Sequence, residues 1–215
     1  FVFGIIVGRS DPHYPAIVMI GVIGWSLFAK SLTGTTKTLT SNAGLFNFTK
    51  IPKSVFAVSG MLTNYILSFI SLLALIPFLI YYEINVGFSI LLVPFCLILL
   101  GLTGTAFGLI LAPFAVRIPD LVNIVQFLAR VGFFLSPVMW TYPMLSNKFG
   151  TGEFLILAHL NPVIVPITLM RDFILSSSSE IPEYGYIMFA SLSIIVFISG
   201  TIVFRRMAHK MVVGL

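Results

Sequence analysis

The sequence predicts an all-α polytopic membrane protein. Of its 215 residues, 58% are hydrophobic and 9% charged, and its mean hydropathy is +1.08, far outside the range of soluble domains. The apolar residues fall in long continuous runs, not in the alternating segments of roughly ten residues that build outer-membrane barrels. The single cysteine, Cys96, lies inside one such run, which rules out an intrachain disulfide and reads as a small buried apolar residue. A single transmembrane domain over 1–215 accounts for the whole pattern.

Residues 1–8 (FVFGIIVG) are too few to span a bilayer and lack the basic flank and cleavage site of a signal peptide. They read as the outer end of a first span that is truncated here. Residues 16–32 form the first whole span, with Gly21 and Gly24 permitting close helix contact. The connection 34–53 is rich in Thr, Asn and Gly, carries Lys37, Lys50 and Lys53, and leaves the membrane. The next span, 54–82, is longer than needed and is expected to tilt or to bend near Pro77; Gly60, Asn64, Ser68 and Ser71 make a small polar stripe suited to interhelical packing.

Residues 87–112 cross back, and Gly101, Gly104 and Gly108 share one face, where a neighbouring backbone can come close. A brief polar turn at 113–120 follows, with Pro119 and Asp120 suited to starting a helix. Residues 121–140 are long enough, at ~1.5 Å per residue, to cross a ~30 Å hydrocarbon core. The stretch Phe154–Leu169 is marginal for a crossing and is cut by Pro162 and Pro166, so 141–179 is expected to be an outer re-entrant segment. The last span covers 184–204, ahead of the basic tail 205–215.

Charge placement tests this topology. With 154–169 not spanning, Lys37, Lys50, Lys53, Arg117, Arg205, Arg206 and Lys210 share one side with Asp120 as its only acid. The other side holds Arg9, Lys148 and Arg171 beside Asp11, Glu83, Glu153, Asp172, Glu180 and Glu183. The lysine and arginine bias makes the first side, with the C-terminus, cytoplasmic; the net charge of +5 therefore reports orientation and not nucleic-acid binding.

Within 121–140, Asn123, Gln126 and Arg130 recur at spacings of three and four and project from one face. Arg130 falls near the middle of the expected span, about 15 Å of helix from either end, further than an arginine readily snorkels. Exposure to lipid would cost roughly 2.5–3.5 kcal/mol, so it should meet a partner group, a bundle interior or a water-filled path. Two readings stay open: a polar lining for something that crosses, or a structural arginine tied to a neighbouring helix.

The order of Gly21-x-x-Gly24-Trp25, Ser41-Asn-Ala-Gly-Leu45, Lys50-Ile-Pro52, Arg117 with Asp120, Phe134-Leu-Ser-Pro-Val138, Leu160-Asn-Pro162 and Met170-Arg171 resembles the membrane subunit of ABC-2 type exporters, most closely the polysaccharide, O-antigen and teichoic-acid permeases. The resemblance runs from Pro15 to the basic tail. It implies an ABC-2, type V exporter-like six-helix domain with re-entrant helices before the last span, sited in the cytoplasmic (inner) membrane. It also implies a homodimer paired with an ATP-binding cassette ATPase that binds ATP and Mg, so that this chain holds no cofactor, and a lipid-linked glycan cargo.

On that resemblance Asn42, Lys50, Lys53, Arg117 and Asp120 would face the ATPase, and Ser136, Pro137, Asn161, Pro162 and Arg171 would form the outer re-entrant motif. Asn123, Gln126, Phe127, Arg130, Phe133, Phe134, Trp140 and Tyr142 would line the translocation path, where aromatic faces can stack on sugar rings and Arg130 can meet a carrier phosphate. Trp140 and Tyr142 also suit an interfacial aromatic belt. The chain departs from the family pattern where Ile118 and Pro119 separate Arg117 from Asp120.

No His-Glu-x-x-His motif, cysteine cluster or phosphate-cradling Gly-x-x-x-x-Gly-Lys-Ser/Thr loop occurs, so an energy source must be another chain. Two alternatives remain: export of drugs or small hydrophobic compounds, or a membrane enzyme acting on lipid-linked sugars through Glu153, Asp172, Glu180 and Glu183.

Overall fold

The computed structural model describes residues 13–46, 52–84, 86–149, 158–178 and 181–212. The expected end of a first span at 1–8 and the connection residue Lys50 lie outside them. In chain order the helices are α1 (Tyr14–Thr36), α2 (Thr38–Ser41), α3 (Ala43–Phe46), α4 (Lys53–Leu73), α5 (Ile76–Tyr81), a 3₁₀ turn (Phe88–Leu92), α6 (Val93–Arg117), α7 (Asp120–Leu135), α8 (Tyr142–Phe149), α9 (Ile164–Leu175) and α10 (Glu183–Val212). No strand occurs among the described residues. Among the described residues four segments are long and apolar enough to cross a membrane: Tyr14–Thr36, Lys53–Tyr81, Phe88–Arg117 and Glu183–Met207.

Helix α6 is the hub because it is apolar all round, and such a helix must be enclosed. It packs against α1, α4, α9 and α10, and Cys96, Leu97, Leu100 and Ala106 are fully buried in it. The glycine face allows this. A Cβ at Gly104 would lie 2.5 Å from the Phe28 carbonyl oxygen, and one at Gly108 would lie 2.5 Å from Thr35 Cβ. Both contacts are shorter than real Cβ atoms make, so α1 and α6 meet backbone to backbone as the small-residue spacing predicts. The stripe on α4 behaves differently: Ser68 is buried and Asn64 half-buried, whereas Gly60 is exposed with nothing near it and Ser71 donates to its own Leu67 carbonyl.

Several boundaries differ from the sequence expectation for physical reasons. Helix α6 continues through Pro113 to Arg117, so the turn expected at 113–120 shrinks to Ile118 and Pro119. Pro113 deprives the helix of one backbone bond, yet Leu109 and Ala112 are clamped in a cluster with Leu39, Ala57 and Phe204 that holds the helix in register. Helices α1 and α10 likewise outrun their apolar cores, to Thr36 and Val212. The 54–82 span breaks at Ala74 and Leu75, just ahead of Pro77, which cannot donate to the Leu73 carbonyl.

The expected 121–140 helix stops at Leu135. Ser136 precedes a proline and is extended (φ −93°, ψ 158°), which ends α7 after 16 residues, about 24 Å. Arg130 is therefore not central: five residues, about 8 Å, separate it from the helix end.

Helix α9 does not cross. Its Ile167 packs where a Cβ on Gly24 would be, about 15 Å along α1 from Tyr14, while Arg171 reaches back to Ile17. Beyond it Ser176 lies beside Gly87, at the end of the bundle where α7 finishes and α10 begins. The Asn161 turn before α9, bonded to Ser136, and Ser176 after it therefore lie toward one end of the bundle.

Candidate functional site

Two sites emerge from the packing. The first is a hub at the end of the bundle where α7 stops. Arg171, 3% exposed, donates from Nε to the Ile17 carbonyl (3.2 Å), from Nη1 to Trp140 (2.9 Å) and from Nη2 to Val138 (2.9 Å). The turn after α7 has carbonyls with no helical partner, and a planar five-donor guanidinium is the side chain able to serve several at once. Asn161 donates from Nδ2 to Ser136 Oγ (3.0 Å), while its Oδ1 accepts from the Val163 amide (3.2 Å), forming the Asx turn that starts α9. Tyr14 adds a bond to the Met139 carbonyl (3.0 Å).

The outer motif residues Ser136, Pro137, Asn161, Pro162 and Arg171 are therefore gathered in one place, with Ser136, Pro137 and Arg171 buried and Asn161 and Pro162 half-buried. Space here is tight: a Cβ at Gly21 would lie 2.7 Å from Arg171 Nη2 and 2.8 Å from Val138 Cα. Beside the hub, Tyr142 is buried with Ile164 and Ile181, and its ring meets His159 edge-on at 5.4 Å, as Tyr184 does from the other side at 5.3 Å. Trp140 packs half-buried against the same cluster.

The second site is a groove of about 380 Å³ between α1 and α7, lined by Val22, Trp25, Ser26, Ala29, Lys30, Ala129, Arg130 and Phe133. Trp25 wedges against Gly132, where a Cβ would be 2.8 Å from the indole, and this keeps α7 close to α1 at that level. Only Val125 is fully buried on α7. Asn123, Phe127, Arg130 and Phe134 are exposed, and Gln126 and Phe133 half-buried. Among the described residues neither Lys30 nor Arg130 has a hydrogen-bond or ion-pair partner. Lys30 was not singled out by sequence reasoning. The signal available was a lysine inside the otherwise apolar 16–32 run.

The expected coupling residues share the opposite end of the bundle. Asn42 caps α2 by donating to the Thr38 carbonyl (2.9 Å), Lys53 opens α4, and exposed Arg117 and Asp120 flank the α6–α7 turn. Leu39 and Phe204, packed in one cluster, bring the start of the 34–53 connection and the end of α10 to this same end. No group of three or more His, Cys, Asp or Glu side chains able to hold a metal occurs among the described residues.

These features define a polytopic α-helical membrane protein. No protein-family model matches the chain. It is 28% identical over 167 residues, 77% of its length, to the O-antigen export system permease protein RfbA of Myxococcus xanthus, of which it spans 63%. It is also 22% identical over 213 residues to a protein of that description from Klebsiella pneumoniae, covering 98% of this chain and 79% of the relative. The likeness to polysaccharide export permeases read from the sequence motifs is borne out by these relatives.

Proposed function

We propose that the chain is the permease subunit of an exporter that moves a polysaccharide outward across the cytoplasmic membrane. The observation that carries this is an alignment over 98% of the chain with an O-antigen export permease, on a bundle whose four long apolar segments suit a membrane-embedded path. The cargo is a lipid-linked glycan, and ATP with Mg is bound and hydrolysed by a separate ATP-binding cassette subunit. Two copies of this chain assemble with that ATPase. Helix α7, which buries one residue and leaves a polar edge of Asn123, Gln126 and Arg130 uncovered, supports a path at the junction of the copies. The end carrying Asn42, Lys53, Arg117 and Asp120 contacts the ATPase, with the C-terminus on the cytoplasmic side.

Deleting the gene in its native host tests the reading. Loss of surface glycan with build-up of the lipid-linked form inside, together with co-purification of an ATP-binding cassette subunit, is the expected outcome. Intact surface glycan refutes export of a polysaccharide.

A further inference from the structure

We propose that Arg205 and Arg206, near the end of α10, bind the phosphate of an anionic phospholipid at the membrane surface, with its acyl chains lying along the apolar face of the same helix. Ile195, Ile198 and Ile202 follow one another at spacings of three and four, and Arg205 and Arg206 come three and four residues after Ile202, so all five share one side of the helix. That side is uncovered: the three isoleucines and both arginines are exposed. Phe204 points the other way, buried in the cluster with Leu39, Ala57, Leu109 and Ala112, and fixes the helix in this rotation.

The depth is that of a headgroup. Helix α10 carries no charge from Tyr184 to Phe204, about 31 Å of helix, which matches a ~30 Å hydrocarbon core and leaves Arg205 at its edge. The helix runs on to Val212, so both arginines stand on regular backbone and not on its last turn. It has no acid after Glu183 in its first turn, and among the described residues neither arginine has a hydrogen-bond or ion-pair partner. Basic residues next to a span attract anionic headgroups, and a guanidinium grips two phosphate oxygens side by side. An adjacent pair of guanidiniums above an apolar stripe is thus complementary to one molecule that carries both a phosphate and acyl chains. A soluble partner would match the charges and leave the isoleucines uncovered. The junction proposed above for two copies uses α7, which leaves this stripe to lipid.

The full-length protein, purified with its partners in a neutral detergent, is titrated with phosphatidylglycerol and, separately, with phosphatidylcholine of the same chains, and bound lipid is counted by native mass spectrometry. Phosphatidylglycerol is expected to bind saturably and at least about tenfold more tightly. R205Q and R206Q should each weaken it about fivefold, R205K and R206K should lose less, and the double variant should bind the two lipids alike. The comparison of the two lipids on the unaltered protein stands whether or not a variant folds. Equal binding of both lipids there, or unchanged phosphatidylglycerol binding in R205Q/R206Q, overturns the site. An equal loss in K37Q, which removes an exposed charge beside Leu39 at the same end of the bundle, overturns it as general surface charge. Glycerol phosphate competing as strongly as the lipid overturns the part given to the isoleucines. Loss of a co-purifying partner from R205Q/R206Q, with lipid binding unchanged, assigns the pair to a protein contact instead. The site does not depend on the export reading, which stands or falls with the gene deletion.

Discussion

Replacing Arg171 with Met keeps volume and removes every donor. Three carbonyls, those of Ile17, Val138 and Trp140, lose their partner in a place that is closed to water. Each buried acceptor left unsatisfied costs about 1–3 kcal/mol, offset in part because a buried cation no longer has to be desolvated, so a net loss of about 3–5 kcal/mol is expected. Lysine in its place keeps the charge but cannot reach three divergent carbonyls, and should recover less than half of that loss. The assay is thermal unfolding of the purified full-length protein together with hydrogen exchange. Exchange should rise specifically in 138–141 and at the start of α9, because the turn and that helix are held through the same side chain. An R171M protein with unchanged melting and unchanged exchange in 138–141 would refute the view that Arg171 fixes the outer turn.

Gly104→Val forces a side chain against the Phe28 backbone, and backbone cannot swing aside as a flexible side chain can. A loss above the usual 1–3 kcal/mol for overpacking is expected, read as a lower melting temperature; the same change at exposed Gly60 should be nearly silent. Asn161→Ala removes both the bond to Ser136 and the cap on Val163. It should cost about 1–2 kcal/mol, less than Arg171→Met, as measured in the same unfolding assay. Arg130→Ala should abolish or sharply reduce export in cells while leaving assembly with the ATPase intact, and normal export by that variant would return Arg130 to a structural role.

The class of the protein was legible in the sequence because hydropathy and length are properties of contiguous residues. Apolar runs announce spans, and Gly104 and Gly108 announce where a backbone must come close, since only helical spacing is needed to see them, whereas Gly101 on the same face meets the Tyr65 ring. Boundaries were less so: Pro113 reads as a helix end, but Leu39 and Phe204, distant in sequence, hold α6 intact past it. Arg130 and Arg171 show the limit most clearly. By sequence Arg130 stands mid-span and Arg171 reads as an outer-loop charge, yet folding leaves Arg130 exposed at a groove beside Lys30 and buries Arg171 among three carbonyls. A side chain's partners are set by which helices are brought together across the whole length of the chain, and no local pattern encodes them.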